Sequence, residues 1–253
     1  GTLVTDGGHD LDPEYFAQIR RLRDHGILFA AVSGRACSSL KKLFAPVADD
    51  ILFISDNGAC TTFRNDLLIC HSLRRELAFE IIRDIEAIPG CTSYISTLGN
   101  GYVKKEAIGL YQWLTEGYQL DITRLENFPE DIPALEKILA VELYHPDAAE
   151  EMAKGLYEKW QGHRELQIAC SGKQWVNFTS IHADKGIAVS EYQISHGIQP
   201  SETMAFGDNL NDAGMLLRAD MSYAIGNARK EIKSLSRFVA DTHQNNGVLQ
   251  VIK

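Results

Sequence analysis

Ile27 to Val32 is an unbroken apolar run, opened by Gly26 and closed by Ser33-Gly34-Arg35. A strand with one wet face alternates apolar and polar residues, whereas an unbroken run suits a strand covered on both faces. Covering both faces takes helices on each side, so this segment points to an α/β domain around a parallel sheet. Its flanks agree. Asp12-Pro13-Glu14 reads as an N-cap, a first-turn proline and a favourable first-turn charge. Tyr15, Ile19 and Leu22 recur at helical spacing, and Gly26 ends the helix. Ile51 to Ile54 is a second apolar run, followed by the turn sequence Asp56-Asn57-Gly58.

The middle of the chain has another rhythm. Leu77, Ile81, Ile85 and Ile88 form a helical stripe closed by Pro89-Gly90. Thr92 to Thr97 and Tyr102 to Lys105 read as strands about Asn100-Gly101, and Ile138 to Tyr144 reads as a third. Asp147 and Glu150 have the spacing of a capping box for the helix carrying Met152 and Leu156. Glu165 to Cys170 and Gln174 to Thr179 flank Ser171-Gly172 as a further hairpin. From Lys185 onward the alternating pattern returns, with a helix over Ile187 to Ile194, a strand over Thr203 to Phe206 and a helix over Asp212 to Leu217. Strands over Tyr223 to Ile225 and Arg237 to Ala240 complete it. The expected architecture is a doubly wound parallel-sheet core from residues 1–65 and 172–253, with an α+β domain from 66–171 inserted between.

Composition removes some function classes. Asp+Glu 34 against Lys+Arg 25 leaves −9, a field that repels phosphate backbones, so nucleic acid is not the expected partner. No apolar run approaches a membrane span. The odd set Cys37, Cys60, Cys70, Cys91 and Cys170, with no CxxC pair, points to small buried thiols in a reducing, cytoplasmic compartment. An anionic ligand would need a local positive site in such a chain.

Open parallel sheets bind ligands at the C-terminal ends of their strands, and three polar clusters fall there. Ser33-Gly34-Arg35 offers a hydroxyl, a close backbone approach and adjacent amides, which suit phosphate oxygens. The tripeptide alone also suits an ordinary strand-to-helix turn. Gly207-Asp208-Asn209-Leu210-Asn211-Asp212 crowds two carboxylates and two amides after a buried strand. Capping a helix needs one such residue, so Asp208 and Asp212 are candidate ligands for magnesium, which takes few hard oxygens. Lys185, between Asp184 and Gly186 at a helix start, could neutralise phosphate charge, although a lone lysine is usually a solvated surface residue.

Taken together, Ser33-Gly34-Arg35, then Asp184-Lys185-Gly186, then Gly207 to Asp212 resemble motifs two, three and four of the haloacid dehalogenase superfamily in order and spacing. Asn57-Gly58-Ala59, Ala224-Ile225-Gly226-Asn227-Ala228 and Asn246-Gly247-Val248 resemble its Cof-type branch, and the gap from Arg35 to Lys185 fits that branch's inserted cap. The family's first motif, Asp-x-Asp-Gly-Thr-Leu, aligns with Gly1-Thr2-Leu3. Its acid/base aspartate would then immediately precede Gly1, with the nucleophile two residues further upstream.

The resemblance implies a phosphomonoester hydrolase acting on small phosphorylated metabolites through an aspartyl-phosphate. It assigns magnesium to Asp208, with Asp212 beside it, and phosphoryl oxygens to Ser33, the Gly34 amide, Lys185 and Asn211. Arg35 is expected to brace its loop, and the cap to exclude water and select the leaving group. Tyr94, Tyr102, Trp113 and His145 could touch that group, though core packing is the ordinary role of such aromatics. A phosphomutase shares these motifs, and a non-catalytic phosphate-binding protein would keep the holding residues without the nucleophile.

Overall fold

All five residues of the Ile51–Ser55 strand are buried, and the first of two structural units is built on it. The computed structural model describes residues 1–4, 8, 10–171 and 173–253. Phe29–Val32 runs parallel to Ile51–Ser55, in a register from Phe29 opposite Ile51 to Val32 opposite Ile54. Cys60–Phe63 and then Asp66–Cys70 extend this sheet on the other side. A second sheet holds Met204–Gly207, Met221–Ala224 and Phe238–Val239, all parallel. Val32 and Val189 pack against apolar clusters drawn from both sheets. The α/β class with parallel strands is therefore what the apolar runs indicate.

The first run is shorter and wetter than its sequence suggests. Pairing begins at Phe29, while Ile27 and Leu28 are 53% and 38% exposed. Among the described residues the strand lies at a sheet edge, paired on one side only, so its leading residues lack a second neighbour. Ahead of it, the Glu14–Asp24 helix buries Tyr15 and Ile19. Asp12 supplies the expected cap, its Oδ1 accepting from the Glu14 N–H at 2.9 Å. Gly26 takes φ +75° beyond the helix end, and the Ile27 N–H donates back to the Leu22 carbonyl at 2.9 Å.

The first unit comprises Gly1–Arg35, Leu40–Ile69 and Asp184–Lys253; the second comprises Ala36–Ser39 and Cys70–Ala183. The second holds a six-stranded sheet in the order Ile122–Leu125, Gly101–Lys104, Thr92–Thr97, Ile138–Tyr144, Trp175–Ser180, Leu166–Ser171. The Arg75–Glu86 helix buries Leu77, Ala78, Ile81, Ile82 and Ile85 against Ile95, Val141, Val176 and Phe178 of that sheet. The return to the first unit comes at Asp184 and not near residue 172, because Trp175–Ser180 is paired on both sides inside this sheet. Gly172 of the expected Ser171-Gly172 turn lies outside the described residues.

Two smaller expectations also change. No capping box forms from Asp147 and Glu150; the Ala149–Met152 helix is preceded by His145, whose Nδ1 accepts from the Asp147 and Ala148 N–H groups at 3.3 and 3.0 Å. An imidazole two residues upstream reaches the same orphan donors that a carboxylate would. Cys60 and Cys91 are buried thiols, but Cys170 is exposed, on the strand that borders the sheet. Tyr94 and Tyr102 are buried, and Trp113 stacks on Trp175 with centroids 5.5 Å apart. Among the described residues no helix is long and apolar enough to cross a membrane.

Candidate active site

The polar clusters of the first unit sit where its parallel strands end. Ser33 follows Val32 directly, and its N–H donates to the Ile54 carbonyl at 2.9 Å, carrying the ladder one residue past the strand. Asp56 and Asn57 follow Ile51–Ser55, and Asp208 follows Met204–Gly207.

Lys185 is brought in by the start of the Lys185–His196 helix. The Asp184 side chain caps it, Oδ1 accepting from the Gly186 and Ile187 N–H groups at 2.8 and 3.0 Å. A Cβ on Gly186 would overlap the backbone of Gly214, so only a glycine there lets this helix start lie directly against the Ala213–Leu216 helix. That approach sets the Lys185 ammonium against Asp212, Nζ to Oδ1 at 2.7 Å, with side-chain exposures of 7% and 6%. The solvated-surface role usual for lysine does not apply here.

In the loop after Met204–Gly207 the four polar residues divide the work. Asn209 Oδ1 accepts from the Leu210 N–H at 2.8 Å, while Asp212 Oδ2 accepts from the Asn209 and Asp208 N–H groups at 3.0 and 2.9 Å. Capping thus occupies Asn209 and Asp212. Asp212 has one oxygen on Lys185 and the other on two amides. Asp208 is half-buried and accepts the Thr2 hydroxyl proton at Oδ1, 2.6 Å away. Among the described residues no lysine or arginine pairs with it.

Asn211 is exposed, and its Nδ2 donates to Asn57 Oδ1 at 2.9 Å. Asn57 also covers Gly34, where an added Cβ would lie 3.0 Å from the Asn57 amide oxygen. Gly34 and Asn211 are thus linked through Asn57, Lys185 and Asp208 through Asp212, and the two sets meet where Asn211 and Asp212 adjoin in the chain. Ser33 joins the first set by its backbone, since its carbonyl accepts the Asn57 N–H at 3.0 Å. Its hydroxyl accepts from the Arg35 N–H at 3.2 Å, and the Arg35 guanidinium donates to the Gly8 carbonyl at 2.7 Å, a contact that braces the loop.

Sequence reasoning missed the roles of three members of this arrangement. Asn57 was legible as part of a turn and of the Asn57-Gly58-Ala59 resemblance, but with no contact assigned to it. Asp184 and Thr2 were likewise named only within motifs, without their parts as helix cap and as donor to Asp208. The first residues are further held by Asn227, whose Nδ2 donates to the Gly1 carbonyl at 3.1 Å. Behind it, the Asp241 carboxyl is held below the usual carboxylate range, chiefly by the Thr242 N–H and then by the Asn245 amide.

Magnesium suits this donor set. No group of three acidic, histidine or cysteine side chains gathers among the described residues. Magnesium, however, keeps several waters and needs only one or two carboxylates beside a substrate phosphate. Asp208 offers a hard anionic oxygen that no cation among the described residues pairs with.

A family model described as haloacid dehalogenase-like hydrolase matches residues 1–252. A crystal structure from Eubacterium rectale is 30% identical, with a TM-score of 0.91 over 100% of this chain and 94% of that one. The Escherichia coli 5-amino-6-(5-phospho-D-ribitylamino)uracil phosphatase is 22% identical over 100% of this chain and 92% of its own length. A Bacillus subtilis phosphatase is 24% identical over 100% and 96%.

Proposed function

The chain belongs to the haloacid dehalogenase-like hydrolase family, and from that premise we propose that it is a magnesium-dependent phosphatase of small phosphorylated metabolites. The observation that carries this reading is the buried Lys185–Asp212 pair beside Asp208, at the ends of parallel strands. Asp212 Oδ1 takes one hydrogen of the Lys185 ammonium at 2.7 Å, and the ammonium carries two more that can donate to a phosphoryl group. With a net charge of −9, the protein needs such a local cation to hold a phosphate at all. The phosphatase names carried by the Escherichia coli and Bacillus subtilis relatives support the same class.

Roles follow from the contacts. Asp208 would hold the metal, which when bound withdraws charge from the phosphoryl oxygens. Asp212 acts beside it, orienting the Asp208 backbone and fixing Lys185. The Lys185 ammonium, the Ser33 hydroxyl, the Gly34 amide and the Asn211 amide donate to the phosphoryl oxygens and stabilise the charge that builds there. Gly1 and the Thr2 hydroxyl lie against Asp208, which keeps the first residues of the chain at the site. The second unit is proposed as the cap that selects the leaving group.

The test is hydrolysis of a generic aryl phosphate by the full-length protein with magnesium, then after EDTA and after magnesium is restored. Loss and recovery of turnover is the expected result. Turnover that survives metal stripping would remove magnesium from the reading, and failure on aryl phosphate and on a panel of sugar and ribityl phosphates would overturn the phosphatase itself.

A further inference from the structure

The turn after Ile51–Ser55 is built in a costly way. Asp56 and Asn57, neither of them glycine, take φ +50° and +55° in succession, ahead of Gly58 at +99°. Left-handed backbone at a non-glycine residue is uncommon, and a run of two persists only where the surroundings impose it. Asparagine tolerates the conformation best, because its short amide can bond locally. Here the conformation brings Asn57 to three segments at once. Its N–H donates to the Ser33 carbonyl at 3.0 Å, while the Asp56 N–H donates to the Arg35 carbonyl at the same distance. Its side chain lies over Gly34 and accepts from Asn211 Nδ2 at 2.9 Å. The next residue, Gly58, packs so tightly on the Asp184 carbonyl that a Cβ would collide with it. Asp184 is the cap that starts the helix of Lys185.

We infer that Asn57 is a positioning residue, one that sets the Ser33–Gly34 loop and the Asn211 amide at a fixed separation so that both address one phosphoryl group. The inference rests on the phosphatase reading for the identity of that group. The physical need is plain at Asn211, an exposed side chain whose amide would otherwise rotate freely. Asn57 Oδ1 takes one of its two amide hydrogens, and the other then points in a defined direction. Ordering such a group before the ligand arrives removes its rotamer entropy from the cost of reaction. The strained backbone at Asp56 and Asn57 is what holds the acceptor in place.

The variant Asn57→Gly tests this, because glycine keeps the left-handed backbone without strain and removes only the amide. In the full-length protein we expect kcat on an aryl phosphate to fall about a hundredfold, with KM changing far less and the thermal midpoint near wild type. The same variant should bind inorganic phosphate about tenfold more weakly in a 31P NMR titration, the loss of roughly one hydrogen bond. Combined with Asn211→Ala, it should add almost nothing to the loss from that substitution alone, since each removes half of one contact. Asn57→Ala, which removes the amide and adds no charge, takes over the test if the glycine variant does not fold, and should show the same lack of additivity with Asn211→Ala. Wild-type kcat and phosphate affinity in the variant tested, or additivity with Asn211→Ala, would each overturn the inference. If the wild-type protein binds phosphate but hydrolyses no phosphomonoester, the functional reading fails while the titration still decides the role of Asn57. Wild-type protein that binds no phosphate overturns both.

Discussion

Lys185 Nζ meets Asp212 Oδ1 at 2.7 Å, and both side chains are more than nine-tenths buried. The second oxygen of Asp212 takes the Asp208 and Asn209 amide hydrogens, so one carboxylate fixes both the cation and the loop that presents Asp208. Buried pairs of this kind are weak contributors to net stability but punishing to break, because a lone charge is left in a dry site.

Asp212→Ala should therefore destabilise the first unit by about 3–5 kcal/mol in urea unfolding. The double substitution Lys185→Met with Asp212→Leu should recover most of that loss without recovering turnover. Lys185→Ala should lower kcat by about 10²–10³-fold or more, as loss of preorganised charge does. An Asp212→Ala cost below about 1 kcal/mol would show that the pair is solvated in solution.

Asp208→Asn should abolish magnesium-dependent turnover while leaving the unfolding midpoint almost unchanged. The amide oxygen can still accept the Thr2 proton at Oδ1. What disappears is the anionic oxygen offered to the metal. Near-wild-type kcat in this variant, measured across a magnesium titration, would place the metal elsewhere.

Gly186→Ala tests the close approach that delivers Lys185. The added methyl would overlap the Gly214 backbone, so the two helix starts must separate. We expect a loss of about 1–3 kcal/mol from overpacking, together with a lower kcat as Lys185 moves from its place. Full stability and full activity would mean that the helices slide apart at no cost.

Tyr15 gives a prediction in pH. Burial pushes its hydroxyl up from 10.0 to about 12, against a smaller downward pull from the Leu249 backbone and a smaller upward one from Asp12. The folded protein keeps this proton at pH values where the unfolded chain has lost it, so stability falls as pH rises from 10 toward 12. Below pH 10 both states hold the proton and the contribution is constant. Tyr15→Phe should flatten that alkaline decline in unfolding free energy, and an unchanged slope would show that the hydroxyl is hydrated in the folded state.

Much of this arrangement was legible because the signals were local. An unbroken apolar run favours a covered strand, as Ile51–Ser55 is although Ile27 and Leu28 are not, and the polar residues after it fall at the end of the sheet where ligands bind. That reasoning located Ser33, Gly34, Asp208 and Asn211 at strand ends without coordinates. Gly26 as a helix stop was legible for the same reason, since φ preference belongs to the residue itself, whereas neither Asn100 nor Gly101 takes a left-handed φ and Gly101 already belongs to the strand, opposite Ser96.

What tertiary structure alone decided depends on which segments meet. The Asp147-Glu150 spacing suggested a cap, yet the nearer acceptor, His145 Nδ1, took the amides. Gln174 to Thr179 read as a hairpin arm with Glu165 to Cys170, and that pairing forms, but only its second neighbour, Ile138–Tyr144, shows that the whole hairpin belongs to the second unit's sheet. Asp208 and Asp212 look alike in the local spacing, because nothing in it says that Lys185, 27 positions from Asp212, will occupy one of that residue's oxygens. Asn57 was placed in a turn but given no partners, since its contacts run to Gly34 and to Asn211, 154 positions away. A single chain carries its propensities and its apolar periods in every window, but the pairing of distant polar groups is set only when burial brings them within hydrogen-bonding distance and makes leaving them unpaired costly.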